Sequence, residues 1–177
     1  MQRSHSGLQA LLDTPFVRRV RRNHGLEHAT IHLLAQRIPN LRIVGRSDSS
    51  GFWLFGNVPT EAVRESATRA LERMRKGEHH LALHPNCGTN LVTMALLGTV
   101  ATFVALLGSD RERFGKLQRL PLVALGLMMT AVVAQPLGMR LQEHITTLGD
   151  PADLEIVDIQ RLDRGGMTIH RVLTRST

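Results

Sequence analysis

The sequence predicts an α+β fold: a small mixed soluble domain carried on a two-helix transmembrane hairpin. Three observations carry this reading. Two long stretches hold no charged residue, 25 residues from Pro85 to Ser109 and 20 between Arg119 and Arg140. The rest of the chain is polar and arginine-rich, so a mean hydropathy of −0.07 averages two unlike parts. That polar part alternates helical patterns with short β-type runs bounded by turn residues, which indicates a mixed domain rather than a bundle. At 177 residues the chain is the size of one domain, or of a compact module with an appendage.

Taken in order, residues 1–22 read as an amphipathic basic N-terminal helix: Leu8, Leu11, Leu12, Phe16, Val17 and Val20 stand beside four closely spaced arginines. Such a helix suits either an anionic membrane surface or ordinary packing on the domain. Residues 23–87 form the soluble lobe. Asn23 is a fair N-cap for a helix to about Arg37, stopped at Ile38-Pro39. Leu41–Val44 and Phe52–Phe55 make a hairpin about the turn-rich RSDSSG. A helix opens at Pro59-Thr60-Glu61 and runs to about Lys76, acidic early and basic late as its dipole prefers, and Gly77 ends it. Leu81–Leu83 is expected as a third strand. Residues 88–139 are the transmembrane hairpin, with spans at about 90–108 and 120–138, close to the roughly 20 residues that cross a hydrocarbon layer. Residues 140–177 complete the lobe with a second hairpin, Leu154–Leu162 and Met167–Leu173 about Asp163-Arg164-Gly165-Gly166.

Charge and composition narrow the function. Aromatic residues are only 3% of the chain, too few to stack on bases, so no nucleic-acid partner is expected. The net charge of +7 and the apolar hairpin make the lipid bilayer the expected partner. Basic residues near the spans are balanced between the connector and the terminal side, but the remaining arginine clusters lie on the terminal side and no cleavable signal is visible. The expectation is a bacterial inner-membrane protein with cytoplasmic termini. Thr93, Gly98, Thr99 and Thr102 in the first span have the small-residue spacing of helix packing, and so of a homo-oligomer paired through the membrane helices. One cysteine, Cys87, excludes an intramolecular disulfide framework.

Two clusters bear chemistry. His24, Glu27 and His28 form H-x-x-E-H; at about 100° per residue they share one helical face with Ile31, His32 and Ala35. Two imidazoles one turn apart chelate a metal ion, and the carboxylate between them suits the general base of hydrolysis, the logic of metallopeptidases with this motif or its inverse. The second cluster, His84-Pro85-Asn86-Cys87-Gly88-Thr89-Asn90, offers an imidazole and a thiol three residues apart at the mouth of the first span. Zinc or another divalent transition metal fits these donors. Cys87 near a helix N-terminus also suits a nucleophile with His84 or His28 as its base. Structural readings stand beside these: satisfied core histidines, a packed Cys87, Asn86 or Thr89 as a cap. His79-His80 reads as a solvated helix end and Glu143-His144 as interfacial, while His5 and His170 have no partner in sequence.

His24-Gly25-Leu26-Glu27-His28 and His84-Pro85-Asn86-Cys87-Gly88-Thr89 resemble the H-G-A-E-H-K and H-P-R-C-G-T signatures of the YqhQ-like family, uncharacterised bacterial integral membrane proteins described as metal-dependent. Gln142, Thr146-Thr147, Pro151 and Asp153 are similar to that family's Q-x-x-T-T-x-x-P-x-D segment, with one extra residue in each of two spacings. Ala29 and Asn86 stand where the family has lysine and arginine. The resemblance implies a functional set of His24, Glu27, His28, His84 and Cys87. The expected function is therefore a membrane protein with a metal site at the membrane surface, its ligands His24, His28, His84 and Cys87, and Glu27 the catalytic base of a metal-dependent hydrolase. The rival is a non-enzymatic membrane scaffold or assembly factor in which the same cluster is structural.

Overall fold

The computed structural model describes residues 7–107 and 115–176. They form two compact units, residues 7–84 with 143–176, and residues 85–107 with 115–142. His5 and most of the expected connector between the apolar helices lie outside the described residues.

In the first unit, α1 (Gly7–Leu12) and α2 (Pro15–Arg37) replace the basic helix expected over residues 1–22 and the separate helix expected from Asn23. The break falls earlier because Thr14 precedes proline and is extended, and Pro15 then occupies a helix-opening position. Nothing between Pro15 and Ile38 interrupts the helix, so Asn23 is no cap. It is buried in mid-helix, where Nδ2 donates to the Asp48 carbonyl at 2.8 Å and Oδ1 accepts from Thr174 Oγ1 at 2.7 Å.

Strands β1 (Val44–Asp48) and β2 (Gly51–Phe55) pair from Val44↔Phe55 to Asp48↔Gly51. The turn begins later than RSDSSG suggested, because Asp48 Oδ1 captures the Ser50 N–H at 2.8 Å and lets Arg46, Ser47 and Asp48 join the strand. Helix α3 (Thr60–Arg75) buries Val63, Ser66, Ala67, Ala70, Leu71 and Met74, one stripe at helical spacing. Gly77, at φ +96°, ends the turn after it. The strand expected at Leu81–Leu83 is a 3₁₀ turn, His79–Ala82. A run of three apolar residues does not specify a strand, and here the Ala82 and Leu83 carbonyls accept bonds from histidines on α2 instead of a neighbouring strand.

The C-terminal hairpin, β3 (Glu155–Arg164) and β4 (Met167–Arg175), turns at Gly165-Gly166, both in the left-handed region that a two-residue hairpin turn requires. The sheet is antiparallel in the order β1-β2-β4-β3, with Phe55 opposite Ile169 and a bulge in β3 between Ile156 and Asp158. Its inner face, Phe52, Leu54, Ile159 and Val172, packs with Leu26 and Leu34 of α2 and with the α3 stripe into one core. On the outer face the Arg171 guanidinium lies 4.7 Å from the Trp53 ring and binds Asp48 at 2.8 Å.

The second unit is a helical hairpin of α4 (Gly88–Leu106) and, after the short α5 (Gly115–Gln118), α6 (Leu120–Leu141). The helices run antiparallel, since Gly138 faces Asn90, Gly98 faces Leu127, and Gly126 faces Ala101. Both helices are long and apolar enough to cross a membrane. Only 22% and 11% of their apolar windows are buried, which distinguishes them from core helices of a globular domain. Leu96, Val100, Phe103, Met128 and Val132 all point outward. Polar side chains inside the pair are satisfied locally: Thr93 and Thr130 donate to carbonyls one turn back, and Asn90 accepts from Gln142 at 2.9 Å. Arg119 caps the far end of α4 through the Ala105 and Leu107 carbonyls.

Candidate metal centre

Helix α2 carries His24, His28 and His32 one turn apart, which places three imidazoles in a row on one face. The chain leaving the 3₁₀ turn brings His84 alongside. Ring centroids are 4.4 Å apart for His24 and His28, 5.6 Å for His28 and His84, and 4.8 Å for His32 and His84. Four imidazoles thus form a ladder within the first unit.

Backbone carbonyls orient three of the rings. His24 Nδ1 donates to the Thr146 carbonyl at 2.9 Å, His28 Nδ1 to Ala82 at 2.7 Å, and His32 Nε2 to Leu83 at 2.7 Å. A carbonyl only accepts, so each bond fixes which nitrogen carries the hydrogen in the neutral ring. His24 and His28 are thereby set with the lone pair on Nε2, and His32 with the lone pair on Nδ1. Holding one nitrogen by a carbonyl so that the other is a ready ligand is the usual outer support of metal-binding histidines. Burial, reinforced by the neighbouring His32 and His28, pushes the His84 pKa down to about 4, so this ring is neutral near pH 7.

Glu27 lies on the same helix but turns toward β1. It is buried, and Ser47 Oγ donates to its Oε2 at 2.5 Å. Beside that bond the carboxylate packs on Gly45, where any Cβ would collide with it. Burial raises the Glu27 pKa, against the Ser47 bond and the charge of nearby His24.

The structure thus gathers His24, His28 and His84 and keeps Glu27 next to them. Cys87 belongs to the second unit, where its sulfur accepts the Thr89 N–H at 3.4 Å as the N-cap of α4. His79 and His80 are exposed, as is the Glu143-His144 pair, 3.8 Å apart. His170 is fully buried with Nε2 3.1 Å from Thr60 Oγ1, and burial lowers its pKa, as for a core histidine. Sequence reasoning had placed His32 on the motif's face without giving it a role; the H-x3-H-x3-H spacing was the available signal. Ser47 and Gly45 had no signal, because their place opposite Glu27 depends on the register of β1.

Residues 19–159 match DUF6391, described as a domain of unknown function. The chain is 36% identical over 172 residues to an uncharacterised protein of Picosynechococcus sp. strain PCC 7002, covering 88% of this chain and 79% of that one. No solved structure matches the chain.

Proposed function

We propose that this chain, which belongs to the DUF6391 family, is a membrane-anchored protein that holds a divalent transition-metal ion, zinc being one candidate, through His24 and His28, with Cys87 or His84 as a further ligand and Glu27 as general base of a hydrolytic reaction. The observation that carries the metal reading is the pair of rings 4.4 Å apart, each with Nδ1 bound to a backbone carbonyl. Neutral imidazole nitrogens and a thiolate select zinc and its borderline neighbours over magnesium or calcium. The likeness of the two motif blocks to the YqhQ-like family supports the same reading, and the outward apolar faces of α4 and α6 support the membrane anchor.

Within this reading the chain's residues divide the work. The carbonyls of Thr146 and Ala82 hold the two rings, and Cys87, three residues beyond His84, adds sulfur to the donor set. A bound ion of this class polarises a carbonyl or phosphoryl oxygen and acidifies water. Glu27, on the same turn of α2, receives the proton of the attacking water, and burial raises its pKa in the direction that strengthens a base.

One observation favours the rival, a scaffold with a structural cluster: the Glu27 carboxylate is tied to Ser47 and pressed against Gly45, as a strut joining α2 to β1 would be. Elemental analysis of tag-free, detergent-purified protein tests the metal, and Glu27→Gln tests the base. Wild type is expected to retain a transition ion that His24→Ala/His28→Ala loses; equal metal in both sinks the reading. Glu27→Gln is expected to keep the ion and the melting temperature while abolishing hydrolysis in a screen of ester, peptide and phosphate substrates. A large fall in melting temperature with the metal retained favours the strut.

A further inference from the structure

We propose that His32 and His84 hold a second divalent transition-metal ion, beside the one assigned to His24 and His28. The distances single out one pair among the four rings. With metal–nitrogen bonds of about 2.0–2.1 Å and tetrahedral angles, two imidazoles on one ion have ring centroids about 5 Å apart. His32 with His84, at 4.8 Å, lies nearest that value, while His24 with His28, at 4.4 Å, and His28 with His84, at 5.6 Å, lie about equally far below and above it. His84 is therefore placed to share an ion with His32 rather than with His28.

The local chain supports this pairing. Leu83 accepts the His32 Nε2 hydrogen at 2.7 Å, and His84 is the next residue, so one short segment both orients the first ring and supplies the second. The donor atom of His32 is Nδ1. Two imidazole nitrogen donors without a carboxylate suit zinc, copper or nickel, with water or a substrate atom in the remaining positions. This second site rests on the metal reading above for its setting and claims His84, which that reading offers only as an alternative to Cys87; it leaves His24 and His28 untouched, so the two fail separately.

The test counts zinc ions bound by the full chain in detergent, prepared without a polyhistidine tag. A His79→Ala/His80→Ala background removes the exposed pair, and the protein is stripped with chelator before titration with zinc alone. His32→Gln removes the imidazole while its amide still reaches the Leu83 carbonyl; His84→Gln serves as the second variant, and thermal melts confirm that each is folded. The parent is expected to bind two ions, and His32→Gln or His84→Gln to lose one of them. His24→Ala/His28→Ala is expected to lose the other and keep the His32–His84 ion. A His32→Gln protein that binds as many ions as its parent overturns the second site while leaving the first. Loss in His32→Gln with none in His24→Ala/His28→Ala does the reverse, and a parent that binds no zinc overturns both.

Discussion

Glu27 lies between α2 and β1, a position that couples two residues with no side-chain chemistry in common. Ser47 supplies the donor its buried oxygen requires, and Gly45 supplies the space its methylene and carboxyl groups occupy. Adding one methyl at Gly45 therefore displaces the carboxylate or the strand. Gly45→Ala is expected to destabilise the protein by about 1–3 kcal/mol, the usual cost of overpacking, measured as a fall in melting temperature. An unchanged melt would mean that the carboxylate moves aside at no cost. The candidate site was readable only in part from sequence for a related reason. The spacing of His24, Glu27 and His28 is local, fixed by helical periodicity, and so visible in a string of letters. The residues opposite Glu27 are set by the pairing of β1 with β2, where a slip of one residue would turn Ser47 away and present Arg46 or Asp48 instead.

At the scale of elements, the β1–β2 turn, β4 and α2 are tied together by Asp48. Its carboxylate accepts from Arg171, the Ser50 backbone and Trp53, and its own carbonyl accepts from Asn23. Burial alone would raise the Asp48 pKa, but the bonds from Arg171, Ser50 and Trp53 outweigh it and hold it below the usual 3.8. A depressed carboxylate contributes stability that is fully present above its unfolded pKa and is lost as pH falls through the folded value. Acid unfolding is thus expected to include a component below about pH 4 that Asp48→Asn lacks, and at pH 7 that variant is expected to be less stable by about 1 kcal/mol, the value of a charged hydrogen bond reduced by solvent screening of the part-exposed carboxylate. Thermal melts of both proteins from pH 2 to 7 check this; parallel curves would count against it. The sequence showed α3 and the C-terminal hairpin clearly because each has its own stop signals, Gly77 and Gly165-Gly166. The 3₁₀ turn was obscured because its form depends on bonds to distant partners, the histidines of α2, whereas the break before Pro15 has the local cause of an extended residue ahead of proline.

At the scale of the whole molecule, the first unit is assembled from both flanks of the apolar pair, with Phe55 opposite Ile169. Two strands that share hydrogen bonds lie in one aqueous compartment, so whatever separates them in sequence crosses a bilayer an even number of times. Two helices, α4 and α6, satisfy that parity. The membrane reading predicts that alkaline carbonate leaves the protein in the membrane pellet, and that tags on the two termini are cleaved, or protected, together. Release into the supernatant, or opposite protection of the two tags, would contradict it.

The strand order also imposes a schedule on synthesis. β2 is translated before either apolar helix, yet the neighbour that covers its open edge is β4, translated after both. Until then Phe52 and Leu54 have no Val172 beside them, and Asn23 waits for Thr174. Of the bonds that orient the histidine ladder, only the one from His24 to Thr146 waits for chain beyond the apolar pair. A nascent chain arrested before β4 would present an unpaired strand edge to chaperones.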